Sequence, residues 1–176
     1  MKLFEIYLES LIGYDQEVVK EVNVAGAVIL KYNDMGTNSV LLIKRSENDK
    51  YPNAWEFPRG RCDKGDKNNL IQCLKREVKE ETGLDIIPLE YITKFEYIAD
   101  EGRRKSIQYN YLCKLKNPIQ EVKLSKEHDD YKWVSTFGEV ELLTSWAELK
   151  WVISYVLNPD KKIVNYQPTE TIVEET

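Results

Sequence analysis

Arg76-Glu77-Val78-Lys79-Glu80-Glu81-Thr82-Gly83-Leu84 is the stretch on which the fold turns. On a helix, Glu77 and Glu81 lie four residues apart and share a face, with Glu80 on its edge. Three carboxylates this close repel one another and cost helix stability. A hard divalent cation removes the conflict, because Mg²⁺ takes oxygen ligands and joins carboxylates to phosphates. Alone, such a cluster is more often a solvated acidic face. Arg76 beside it and the Gly60 loop ahead of it favour a metal site.

The surrounding pattern supports the helix. Leu70, Ile71, Leu74 and Val78 fall at helical spacing, which predicts a helix from about Asn69 to Thr82 with Gly83 as its stop. Upstream, Val22 to Leu30 and Val40 to Ile43 read as strands, joined through an Asn33–Asn38 hairpin loop. Trp55-Glu56-Phe57-Pro58 follows a second loop, and Gly60 to Asp66 is polar. Downstream, Ile86–Tyr97, Ile107–Leu115 and Tyr131–Val134 read as strands, and Trp146–Val156 as a helix. Residues 1–158 therefore form one domain, and residues 159–176, with Pro168 and an acidic end, read as a flexible tail.

The 176 residues, 42% hydrophobic and 31% charged, suit one globular domain. A net charge of −5 argues against binding nucleic acid through an overall positive field, yet leaves room for a local basic pocket. No apolar run approaches the roughly 18 residues of a membrane span. Three cysteines without a CxxC pair speak against a disulfide scaffold or a zinc cage, and for a reducing compartment. The start, MKLFEIYLES, is too short and acidic for a signal peptide. The expectation is a cytoplasmic protein, although a secreted one lacking its leader reads the same way.

Arg76 to Leu84 resembles the second half of the Nudix box, Arg-Glu-U-x-Glu-Glu-x-Gly-U with U aliphatic. The first half of that box is a Gly, five residues, a Glu and seven more residues. Here Gly60 and five residues lead to Asp66 in place of Glu, and Lys67–Lys75 is two residues longer than the pattern. The resemblance implies an α/β fold: an α/β/α sandwich around a mixed sheet, with a catalytic loop-helix-loop. It implies hydrolysis of a nucleoside diphosphate linked to another group. Glu77, Glu80, Glu81 and the Gly60 carbonyl would hold Mg²⁺ or Mn²⁺, and Arg76 would orient the glutamates.

Two further segments extend the likeness over about Val22–Leu157. Trp55–Arg61 is similar to the entry of enzymes that cleave dinucleoside polyphosphates, and also to that of decapping enzymes. Leu124–Trp133 is similar to a segment of asymmetrical diadenosine tetraphosphate hydrolases that supplies an extra carboxylate. That role would fall to Glu127, as a further ligand or as the base for water. The implied substrate is a dinucleoside polyphosphate. The alternatives are a capped RNA 5′ end, a diphosphoinositol polyphosphate, or binding without catalysis. The likeness says nothing of oligomeric state.

Other candidates carry two readings each. Arg59 and Arg61 flank Gly60, and at least one of them would face phosphate. Arg103 and Arg104 would reach phosphates or form an exposed cationic turn. Tyr51, Tyr97 and Tyr131 could stack a base, with Tyr131 foremost, though tyrosines are more often core or surface. His128 reads first as structural, Trp55 and Trp133 as core anchors, and Cys73 as chemically idle.

Overall fold

A computed structural model describes residues 20–32, 38–66, 68–100, 102–144, 146–157 and 172–173. Its elements are β1 (Lys20–Tyr32), β2 (Asn38–Arg45), β3 (Trp55–Glu56), β4 (Arg59–Arg61), α1 (Leu70–Thr82), β5 (Ile86–Ala99), β6 (Arg104–Leu115), β7 (His128–Val134), α2 (Phe137–Leu143), α3 (Ala147–Leu157) and β8 (Ile172–Val173). A single 3-10 turn, Lys64–Asp66, precedes α1.

The sheet is mixed, in the order β3-β2-β1-β6-β5-β8, with β4 against β1 and β7 against β2. Strand β1 runs parallel to β6 along one edge. Its other edge is divided, with β2 on Leu30–Tyr32 and β4 on Val24–Gly26. This division brings the short β4 beside α1. Because side chains alternate across the pleat, the apolar strands supply two cores. Ala25, Ala27, Ile29, Leu41 and Ile43 pack with Cys73, Leu74 and Val78 of α1. Val28, Leu30, Val40 and Leu42 pack with Val140 of α2 and Leu149, Val152 and Ile153 of α3. The α/β/α arrangement is the one implied by the resemblance.

Helix α1 has identifiable ends. Asn69 Oδ1 accepts from the amides of Ile71 and Gln72 at 3.0 and 3.2 Å, satisfying donors of the open first turn. Gly83 closes it at φ 70°, a conformation that glycine takes without a Cβ penalty.

The cysteine reading is corrected. Cys62 and Cys73 form a disulfide, with Cα atoms 5.2 Å apart, and Cys113 alone is free and buried. The bond ties the residue after β4 to the inward face of α1, two elements that the sequence separates by a loop. The ground for expecting a reducing compartment falls with it. Within the expected tail, Ile172–Val173 pairs in parallel with Tyr97–Ile98. Residues 158–171 and 174–176, like 33–37 of the expected hairpin loop, lie outside the described residues. Among the described residues no helix is long and apolar enough to cross a membrane.

Candidate active site

Gly60 and α1 meet closely. A Cβ on Gly60 would fall 2.0 Å from the Glu77 carboxyl carbon, so only glycine lets β4 approach this side chain. The neighbouring Arg59 amide donates to Glu81 Oε2 at 2.9 Å. Cys73 Sγ lies 3.9 Å from the Gly60 carbonyl oxygen. Thus a single peptide segment touches both glutamates of the shared helix face.

Arg76 organises the other side. Its Nε and Nη2 donate to the two Asp66 carboxylate oxygens at 3.0 and 2.8 Å, a bidentate pairing. Its Nη1 stands 2.8 Å from Glu77 Oε1 and 3.0 Å from Glu80 Oε2. Asp66 is itself buried and accepts from the Asp63 amide. Its hydrogen bonds from Arg76 hold its pKa below the ordinary range despite the cost of desolvation. The longer loop therefore still delivers a carboxylate to Arg76, and the shorter Asp suffices.

Two buried acids titrate in opposite directions. Burial pushes Glu81 up to about 9; the charges of Glu56 and Glu77 add to this, while the Arg59 amide opposes it. Burial alone would also raise Glu56, but Arg59 and Arg45 override it and hold that carboxyl at about 2. Arg45 Nε reaches Glu56 Oε1 at 2.6 Å, and Arg59 Nε reaches Oε2 at 2.7 Å. Glu77 is also raised, first by burial.

These groups border a cleft of about 1020 Å³ lined by Gly60, Arg61, Arg76, Glu77, Glu81 and Glu127 among others. Lys50, Tyr51, Tyr97 and Arg104 line it too. Arg103 and Tyr131 do not belong to this lining. Arg103 Nε donates to the carbonyl of Asp100 in its own turn, and Tyr131 is an exposed residue of β7. Glu80 also stands outside the lining, 60% exposed and paired with Arg76. Arg59 lines the cleft too, with its guanidinium engaged by Glu56, Tyr97 and Gln108. His128 is buried, with Nε2 3.6 Å from Glu56 Oε1, in keeping with a structural part.

Sequence reasoning passed over Glu56, Arg45 and Gln108. An acid inside the apolar Trp55–Pro58 run was the available signal for Glu56. The donor set suits a hard cation: carboxylate oxygens of buried Glu81 and partly exposed Glu77 beside a glycine cradle that a Cβ would fill. Among the described residues, the group of donor atoms within 4.8 Å of one another is Cys62, Asp66 and Cys73, whose two sulfurs are bonded together.

A family model of the NUDIX domain matches residues 22–152. The m7GpppN-mRNA hydrolase of Saccharomyces cerevisiae is 30% identical over 142 residues, 75% of this chain but 13% of that protein. The asymmetrical bis(5′-nucleosyl)-tetraphosphatase of Mus musculus is 31% identical over 121 residues, 66% of this chain and 77% of that relative. A crystal structure of a C. elegans Ap4A hydrolase binary complex matches with a TM-score of 0.64 at 27% identity, covering 77% of this chain and 94% of that one. With the family model spanning most of its length and Gly60, Arg76, Glu77 and Glu81 of the box lining one cleft, the chain belongs to the Nudix family.

Proposed function

We propose that this protein is a Mg²⁺- or Mn²⁺-dependent pyrophosphohydrolase of dinucleoside polyphosphates, with residues 1–158 as its catalytic domain. The observation that carries this reading is the cleft itself, which sets Glu77, Glu81 and Glu127 beside Arg61, Lys50 and Arg104. Acids that hold a cation and bases that meet phosphate oxygens are the two requirements of a polyphosphate substrate.

Glu77, Glu81 and the Gly60 carbonyl would hold the metal, with Glu80 joined to them through Arg76. When bound, it supplies charge neutralisation at the phosphates and lowers the pKa of water. Arg76 fixes Glu77 by a charge-assisted hydrogen bond and is itself fixed by Asp66. The Arg59 amide orients Glu81. Glu127 accepts the proton of the attacking water at its carboxylate. The water oxygen bonds to one phosphorus as the anhydride P–O bond breaks, and the departing phosphate keeps the electron pair. Arg61 and Arg104 meet the phosphate chain.

The extent of the likeness favours the small substrate. This chain covers 77% of the mouse tetraphosphatase and 13% of the yeast decapping enzyme. The 142-residue match to the latter supports cap hydrolysis as the second reading. Assaying diadenosine tetraphosphate, capped RNA and a diphosphoinositol, each with Mg²⁺ and Mn²⁺, decides among them. Greatest kcat/KM on the dinucleotide is expected, and much faster turnover of capped RNA would reverse the order. Undiminished turnover by Glu81→Gln would refute the metal assignment. No turnover by the parent protein of any of the three would leave a binding module.

A further inference from the structure

Gly26 sits at the centre of a row that crosses three strands. It pairs with Arg59 of β4 on one edge and with Asn110 of β6 on the other. Paired residues share a sheet face, and Gly26 shares that of Val28, which is the α3 side. Gly60 and Glu77 lie on the opposite, α1 side. A Cβ at Gly26 would stand 2.5 Å from Asn110 Oδ1 and 3.1 Å from Gln108 Nε2. The glycine leaves a trough, and the two amides and Arg59 fill it.

Through this trough the Arg59 side chain crosses β1 to reach β6. Nη1 donates to Gln108 Oε1 at 2.6 Å and to the Tyr97 hydroxyl at 2.8 Å. Gln108 Nε2 in turn donates to Asn110 Oδ1 at 2.8 Å. The guanidinium has no acceptor, so the Gln108 oxygen must face it, which sets the orientation of both amides. The rings of Tyr97 and Trp146 each lie 5.6 Å from the guanidinium carbon. Arg59 is consequently held on both faces of the sheet. Its side chain is fixed on the α3 side, while its amide donates to Glu81 on the α1 side.

We propose that Gln108, backed by Asn110, is a positioning residue for hydrolysis: by holding the Arg59 side chain it fixes the Arg59–Gly60 peptide against Glu81 and Glu77. The proposal rests on the reading of Glu77 and Glu81 as the metal-holding acids. Gln108 touches neither of them, and is separated from the acids by β1 and β4. Losing the Gln108 acceptor leaves the guanidinium to Glu56 and Tyr97, so it re-settles toward them and the peptide carrying the Glu81 donor shifts with it.

The test compares Gln108→Leu, which removes the acceptor at similar size, with Gln108→Glu, which keeps one. Among the described residues the buried Asn110 Nδ2 has no hydrogen-bond partner, so its amide can turn to serve the second Glu oxygen. Mn²⁺ binding is followed by electron paramagnetic resonance, together with kcat, KM and thermal midpoint. Gln108→Leu is expected to weaken Mn²⁺ binding about tenfold, the loss of one charge-assisted hydrogen bond, with KM at saturating metal within about twofold. Gln108→Glu should recover to within about threefold of the parent. Gln108→Asn, one methylene too short, should resemble Gln108→Leu, and serves if the leucine variant does not fold. A lowered thermal midpoint with unchanged Mn²⁺ affinity would overturn the proposal, leaving Gln108 a purely structural residue. Glu81→Gln measured in parallel separates the two ideas. If it binds Mn²⁺ as the parent does, the metal assignment fails and takes the proposal with it. If it does not bind while Gln108→Leu binds as tightly as the parent, the positioning role alone fails.

Discussion

Adding Mg²⁺ to the metal-free protein at pH 7 is expected to expel close to one proton, and that proton comes from Glu81. Burial, with Glu56 and Glu77 nearby, places the Glu81 pKa at about 9. At pH 7 it is then roughly 99% protonated, whereas a metal ligand must be ionised. Metal affinity should therefore climb by about tenfold per pH unit from pH 6 to 8 and level off above 9. Calorimetric titration in buffers of different ionisation enthalpy reads the protons directly, as the slope of apparent enthalpy. Glu81→Gln should remove most of that release, leaving the share of Glu77, whose pKa is also raised by burial. The same shift fixes a sign for stability. With the folded pKa above the unfolded 4.5, the unfolded chain binds fewer protons between the two values. The Glu81 contribution to stability of the metal-free protein thus falls as pH rises from about 4.5 through 9. Release of less than about 0.2 proton at pH 7, or equal release by Glu81→Gln, would refute the reasoning.

Two other outcomes follow from the same geometry. Gly60→Ala places a methyl 2.0 Å from the Glu77 carboxyl carbon, so β4 or Glu77 must move. A fall in kcat of at least about 100-fold is expected, as for misplacement near 1 Å, and retention of parental kcat would contradict it. Reducing the Cys62–Cys73 bond reopens a loop spanning 11 residues of separation. By chain entropy this costs about 3 kcal/mol of stability. Denaturant midpoints with and without reductant, alongside thiol counts, measure it; an unchanged midpoint once both thiols are counted free would refute the cross-link as a stabilising element.

Much of the site was legible because its chemistry is local. The acidic face, Arg76 and the Gly83 stop all lie within one helical stretch, where spacing fixes who meets whom. The long strands were legible from their apolar residues. Strands β3 and β4 were not, since two and three residues carry no periodicity. Helix α2 also escaped: it buries Val140 and takes its start from a Thr136–Glu139 capping box. Arg59 shows a different limit. Its place beside Gly60 suggests phosphate, but alternation along β4 sends its side chain to the opposite sheet face, where Gln108 and Glu56 wait. That partnership depends on a strand brought alongside from 49 residues away. The disulfide likewise joins cysteines whose spacing has no signature, and its pairing follows from β4 lying on α1.

The loop between Asp63 and Asn69, longer than the family pattern, lies wholly inside the covalent ring closed by Cys62 and Cys73. Its ends are anchored by the sulfurs, by Asp66 on Arg76 and by the Asn69 cap. Added length there changes loop-closure entropy by only a few tenths of a kcal/mol and leaves Gly60 and Glu77 in register. Asn68, exposed and at φ 58°, lines the cleft together with Asp63 and Lys64, so the covalent ring also forms one of its walls.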